Sequence, residues 1–148
     1  MMELLLQSAE ALLKETKNNV SLLSNASAFI KAYVPDLNWA GFYLYEQNKL
    51  ILGPFQGLPA CVEIDLGKGV CGTSYEKKEI LNVPDVHDFD GHIACDSNSN
   101  SELVIPLFKH GKGIGVMDID SPVFNRFDSD LQRFFEKLSE IIIDLYEI

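Results

Sequence analysis

Apolar residues recur at helical spacing through the first third of the chain. Leu5, Ala9, Leu12 and Leu13 fall at i, i+4, i+7 and i+8, and Leu22, Ala26, Phe29, Ile30 and Tyr33 repeat that spacing. Two amphipathic helices are therefore expected. Asn18-Asn19 separates them, and Pro35 ends the second, because the residue before a proline is pushed out of the α region. From Trp39 the period becomes two. Ala40, Phe42 and Leu44 face one way, and Trp39, Gly41, Tyr43 and Tyr45 the other. Gln47-Asn48-Lys49 turns this strand into Leu50-Ile51-Leu52, and Val62, Ile64 and Leu66 alternate with Glu63 and Asp65 in a third. Gly67-Lys68-Gly69 opens a short helix running through Lys78, followed by a strand over 80–83 and a long irregular stretch over 84–101. Long loops inside compact domains usually carry function or are disordered.

Strands over 103–108 and 114–119 flank Lys109-His110-Gly111-Lys112-Gly113, a hairpin signal. Finally, Asp128 or Ser129 caps a helix with a broad apolar stripe of Leu131, Phe134, Phe135, Leu138, Ile141, Ile142 and Leu145. Ser129 with Gln132 also fits a capping box. There is no internal repeat, low-complexity tract or linker. This order predicts one α+β domain over 1–148, with helices packed on one face of a mostly antiparallel sheet.

Composition narrows the class. At 148 residues the chain has room for one domain. With 47% apolar and 23% charged residues it is no disordered acidic tail, and no window approaches the roughly 18 apolar residues that cross a bilayer. Met1-Met2-Glu3-Leu4 lacks the basic region and cleavage site of a secretory signal, so the expected location is cytoplasmic. Acidic residues outnumber basic ones by 22 to 12, and the net charge of −10 disfavours nucleic acid and membrane surfaces as partners.

Part of that acidic excess falls in one place. With the hairpin centred on Gly111, Glu102 lies opposite Asp120 and Val104 opposite Asp118. Asp118 and Asp120 are two apart on a strand and share a face, and in this register Glu102 joins them. Two carboxylates about 4 Å apart at an effective dielectric of about 20 repel by roughly 4 kcal/mol. Such a cluster needs a cation, a raised pKa on one member, or both, unless the strand ends fray into water. A ligand ammonium fits, with one carboxyl held protonated as a general acid. A metal cage is the competing use of three carboxylates, but no glycine-bounded calcium loop accompanies them.

The cysteines are Cys61, Cys71 and Cys95, an odd count in a chain with no export signal, so free thiols rather than a structural disulfide framework are expected. Their spacing, even with His92 as a fourth ligand, matches no common zinc knuckle, and no metal is expected. Cys71 begins a helix, where it is either a small core residue or a thiol whose pKa the helix N-terminus lowers. Cys95 sits in the polar loop Gly91-His92-Ile93-Ala94-Cys95-Asp96-Ser97, where burial is not the default and a nucleophile is plausible. Cys61 follows Leu58-Pro59-Ala60 at the entry to a strand. Two thiols on different loops that meet in space are what a nucleophile and a resolving partner require.

Several blocks resemble one family in order and content. They are Asn38-Trp39-Ala40-Gly41-Phe42-Tyr43, Leu52-Gly53-Pro54-Phe55-Gln56-Gly57, Pro59-Ala60-Cys61 and Gly67-Lys68-Gly69-Val70-Cys71-Gly72. Val83-Pro84-Asp85-Val86, Gly91-His92-Ile93-Ala94-Cys95-Asp96, Ser101-Glu102-Leu103-Val104-Ile105-Pro106 and Gly115-Val116-Met117-Asp118-Ile119-Asp120-Ser121-Pro122 follow. Across nearly the whole chain these resemble the free methionine-(R)-sulfoxide reductases, which are single GAF domains.

The resemblance implies that Cys95, as thiolate, attacks the sulfoxide sulfur of L-methionine-(R)-S-oxide and becomes a sulfenic acid. Cys61 then resolves it as a disulfide, with Cys71 as the alternative or a relay, and thioredoxin regenerates the dithiol. Glu102 or Asp120 would protonate the leaving oxygen. Asp118, with Glu102 and Asp120, would hold the ammonium of the free amino acid, and Trp39 would wall the terminal methyl group. A residue inside a polypeptide has no such ammonium and would leave the acidic cluster unpaired. No bound cofactor is implied, and the family suggests a homodimer. The alternative is a non-catalytic GAF module that senses a small molecule or redox state.

Overall fold

The boundaries of the second helix have local causes. A computed structural model describes residues 2–91 and 97–148. The first helix, α1, spans Met2–Leu13 and the second, α2, spans Asn19–Tyr33. Asn18 starts α2 by accepting a hydrogen bond from the Ser21 N–H at 2.8 Å, and Pro35 follows its end. The strands β1 (Trp39–Glu46) and β2 (Lys49–Gly57) are joined by Gln47 and Asn48, both at positive φ (50° and 65°). That is the backbone a tight two-residue hairpin turn demands. Then come β3 (Glu63–Asp65), α3 (Gly69–Lys77), β4 (Leu81–Val83), β5 (Ser101–Lys109), β6 (Lys112–Ser121) and α4 (Ser129–Leu145).

The strands form one six-stranded sheet in the order β3-β2-β1-β6-β5-β4, antiparallel throughout. Its two faces follow from the alternation along each strand. Ala40 and Phe42 of β1, Leu103, Ile105 and Leu107 of β5, and Met117 and Ile119 of β6 point to one side. There they pack with Leu22, Ile30, Phe134, Phe135 and Leu138 of the helices α2 and α4, and with Ala9 and Leu13 of α1. The terminal helices thus share one face, as the pattern predicts. The opposite face carries Trp39, Tyr43, Val104 and Val116, and α3 covers it with Val70, Cys71 and Tyr75.

Three local expectations are corrected. The second strand does not stop at Leu52 but runs to Gly57 through Pro54. Pro54 falls at the irregularity in the β1–β2 ladder, between the Tyr43↔Leu52 and Gly41↔Phe55 pairs and beyond the residues that pair with β3, where a missing donor is accommodated. Val62 and Leu66 fall outside the three-residue β3. At the start of α4 the capping box does not form. Asp128 is the N-cap and accepts from the Leu131 N–H at 2.9 Å, which makes Ser129 the first helical residue. Gln132 instead accepts a hydrogen bond from Asn82 and donates one to Glu136.

The hairpin between β5 and β6 matters most for function. Its turn is His110-Gly111, both at positive φ, so it centres half a residue before Gly111. A bulge between Leu107 and Phe108 takes up the offset, and from Leu107↔Gly115 onward the register is the expected one. Glu102 pairs with Asp120 and Val104 with Asp118. Gly115 sits at the bulge because a side chain there would collide with the Tyr43 carbonyl on the neighbouring strand.

Candidate functional site

The register places three carboxyl groups on the face that α3 covers. Asp118 and Asp120 lie on β6, flanked by Glu102 of β5 on one side and by Gly41 and Trp39 of β1 on the other. All three are buried, at 5%, 8% and 6% exposure for Asp118, Asp120 and Glu102. Fraying into water is therefore excluded. Burial pushes the Glu102 carboxyl well above the ordinary carboxylate range, and the charges and hydrogen bonds of Asp118 and Asp120 push it in the same direction. The environment therefore favours the protonated form of Glu102, the direction the sequence argument requires.

The aromatic side of the site is built from β1. Trp39 and Tyr43, four apart on one face, stack at 5.9 Å between ring centroids, and Trp39 stacks on Phe55 of β2 at 5.2 Å. The indole Nε1–H donates to the Leu58 carbonyl at 3.2 Å, which fixes the plane of the ring. Tyr43 donates its hydroxyl to the Cys61 carbonyl at 2.9 Å. Burial, with Asp118, Cys71, Asp120 and Glu102 close by, pushes its phenol pKa up, so it remains a donor. Tyr43 thus joins the acidic cluster to the Cys61 segment.

The three cysteines divide. Cys61 is disulfide-bonded, whereas Cys71 is a buried free thiol. Cys95 and His92 lie outside the described residues. The chain entering β5 is pinned close by, with Asn38 donating to Ser99 Oγ at 3.0 Å and the Asn100 N–H to the Ser121 carbonyl at 2.8 Å.

Cys71 is the small buried residue that one of its two sequence readings expects, and the other reading fails. The helix N-terminus was expected to lower its pKa. Instead burial, followed by the charges of Asp118, Glu102 and Asp120, pushes it well up. Half a unit of positive charge at a helix end does not offset three carboxyl groups and the loss of water. Its Sγ donates to Glu102 Oε2 at 3.9 Å, and the ligand atoms of Cys71, Glu102 and Asp118 all lie within 4.8 Å of one another. The set has the donors to hold a divalent cation, although its position against the aromatic wall suits an organic ammonium equally.

Sequence reasoning missed the placement of Cys71 and the bridging role of Tyr43. The first depends on where α3 lands, and no local pattern reports that. The second had a signal: Tyr43 shares the Trp39 face, and pairing of β1 with β6 sets that face beside Asp118 and Asp120.

An antiparallel six-stranded sheet with terminal helices on one face, and a short helix over a buried acidic and aromatic cluster on the other, is the fold of a GAF domain. A family model for the GAF domain matches residues 8–143. Among curated relatives, the free methionine-R-sulfoxide reductase of Escherichia coli K12 is 48% identical over 132 residues, covering 88% of this chain and 80% of that protein. The free methionine-R-sulfoxide reductase of Saccharomyces cerevisiae is 48% identical over 149 residues, covering 95% and 83%. The structure of fRMsr of Staphylococcus aureus in complex with substrate superposes with a TM-score of 0.93 at 48% identity, covering 99% of this chain and 95% of that one. This chain belongs to the free methionine-R-sulfoxide reductases, a family of GAF-domain enzymes.

Proposed function

We propose that this chain reduces free L-methionine-(R)-S-oxide to L-methionine, with thioredoxin as reductant and no bound cofactor. The observation that carries the reading is the buried cluster of Glu102, Asp118 and Asp120, set against Trp39 and linked through Tyr43 to Cys61. An amino acid with a free ammonium and an apolar end matches that pairing of carboxyl groups and indole. The ammonium meets Asp118 and Asp120, and the methyl group lies against the indole.

Cys95 thiolate attacks the sulfoxide sulfur. Glu102, whose carboxyl its environment shifts towards the protonated form, delivers a proton to the oxygen as the S–O bond breaks, with Asp120 positioned across the ladder to share that role. The oxygen passes to Cys95 Sγ as the S–S bond formed in the attack breaks, so methionine leaves as the thioether and Cys95 is a sulfenic acid. The Cys61 thiol displaces it as water and forms a disulfide. The dithiol of thioredoxin then reduces this bridge, becoming a disulfide itself.

That Cys61 is found in a disulfide while Cys71 is a free thiol of raised pKa supports Cys61 as the resolving residue. Cys71 is the weaker candidate for resolution or relay, because a protonated buried thiol is a poor nucleophile. The proposed unit is a cytoplasmic homodimer. Among the described residues no helix is long and apolar enough to cross a membrane, and the exposed Leu4 and Tyr33 offer apolar surface for pairing.

The decisive experiment is a thioredoxin-coupled assay on the separated (R) and (S) epimers, free and peptide-bound, with Cys95→Ser alongside. Turnover of the free (R) epimer alone, lost in Cys95→Ser, is expected. Near wild-type turnover by that variant would remove the nucleophile, and binding without reduction would favour a sensing module.

A further inference from the structure

We propose that Leu58 and Val62, which bracket Cys61, form the docking surface for the dithiol protein that reopens the Cys61 disulfide; this rests on the reductase reading above. The segment Leu58-Pro59-Ala60-Cys61-Val62 links β2 to β3, and its backbone is tied down along its length. The Leu58 carbonyl accepts from Trp39 Nε1 at 3.2 Å, the Cys61 carbonyl from Tyr43 at 2.9 Å, and the Val62 carbonyl from the Leu52 N–H at 3.0 Å. With those groups held by the sheet, the Leu58 and Val62 side chains stand in solvent at 56% and 67% exposure. Single exposed aliphatic residues are ordinary on protein surfaces. Two that flank a redox sulfur on a fixed backbone make a preformed apolar rim around the atom a partner must reach.

The chemistry demands such a rim of one kind of partner. A reductant thiolate attacks Cys61 Sγ, forms a mixed disulfide and releases the other sulfur of the bridge as a thiolate. A second thiol of the same reductant then attacks the reductant's own sulfur, which frees Cys61 and leaves the reductant as a disulfide. The complex must persist between the two steps, and burial of apolar surface around the sulfur supplies that lifetime. Charge does not oppose it locally. Although the chain is strongly acidic, Glu63 beside Val62 is paired with Lys49 at 3.1 Å. The occupant this surface fits is therefore a protein whose dithiol is set in an apolar patch, and thioredoxin is the probe of that class.

The test compares two reductants on the same enzyme: thioredoxin with its reductase and NADPH, and dithiothreitol, which needs no docking. Val62→Glu is expected to raise the KM for thioredoxin about tenfold, as loss of one buried aliphatic contact would. Its dithiothreitol-driven turnover of the free (R)-sulfoxide should match wild type. Leu58→Glu should lower the ratio of thioredoxin-driven to dithiothreitol-driven rate in the same direction, and Val62→Leu should restore the thioredoxin KM. An unchanged thioredoxin KM in Val62→Glu, or an equal fall with both reductants, would overturn the docking surface and leave the reductase reading intact. Wild-type protein inactive with both reductants would overturn both.

Discussion

Glu102 and Leu103 are adjacent in sequence and point into opposite interiors. Leu103 enters an apolar layer beneath α1, α2 and α4, with Ile105, Met117 and Ile119 beside it. Glu102 enters a layer that holds two more carboxyl groups, a thiol and a phenol. The same two strands build both layers, by alternation alone. Burial under the helices stabilises the fold by about 25 cal/mol for each Å² of apolar surface, whereas burying a carboxylate on the other side costs several kcal/mol. The contrast shows a division within one sheet: the helical face supplies the stability that permits an unfavourable, chemically useful arrangement on the face under α3.

The sharpest way to break that contrast is Glu102→Gln. Removing a general acid costs about 10²- to 10⁴-fold in rate, and that loss in turnover of free methionine-(R)-sulfoxide is expected here. Stability should respond in the opposite sense. Because the folded pKa of Glu102 lies above its ordinary value of 4.5, the folded state binds more protons than the unfolded state between those two values. Its contribution to stability is fully present below the ordinary value and is lost as pH rises through the folded pKa. Melting curves across pH should therefore show wild type losing stability relative to Glu102→Gln as pH rises above the ordinary carboxyl range. A variant that is active, or that loses stability at neutral pH as a core truncation does, would sink the division of roles.

Leu103→Ala is the complementary change, one residue away. Truncating a leucine with no solvent exposure should cost about 2–5 kcal/mol, read by urea denaturation. The rate per folded molecule should stay close to wild type at a temperature where the variant is folded. If the rate fell as far as in Glu102→Gln, the two layers would not be separable.

How much of this could be read from the chain varies with the distance over which each feature is decided. The alternation of Ala40, Phe42 and Leu44 against Trp39, Tyr43 and Tyr45 was legible, because a strand displays both faces in six residues. The carboxyl cluster was legible for a less obvious reason. The hairpin turn lies half a residue from where the glycine pattern puts it, and the bulge beside Gly115 shifts the register back. Either departure alone would have sent Glu102 to the apolar side. Cys71 was not legible, since its neighbours come from β5 and β6, roughly thirty to fifty residues on, and α3 reaches them only through tertiary packing. The bridge through Tyr43 is half legible: its place beside Asp118 and Asp120 follows from the strand faces, and only its hydrogen bond to the Cys61 carbonyl depends on tertiary packing. The roles given to Cys95 and Cys61 came from resemblance rather than from pattern.

A smaller effect refines the helical side of the comparison. Both Asp128 and Ser129 are plausible caps by residue type, and Ser129 with Gln132 makes the better motif. The structure nevertheless uses Asp128, whose carboxylate takes the Leu131 N–H and also lies at the favourable end of the helix dipole. Asp128→Ala should therefore cost about 1 kcal/mol of stability, and Ser129→Ala close to nothing. Neither substitution should alter KM or kcat, because α4 packs on the face away from Glu102, Asp118 and Asp120. Paired denaturation curves separate the two. Equal losses would return the cap to Ser129, and a kinetic effect from either would show that the helical layer reaches through the sheet to the site.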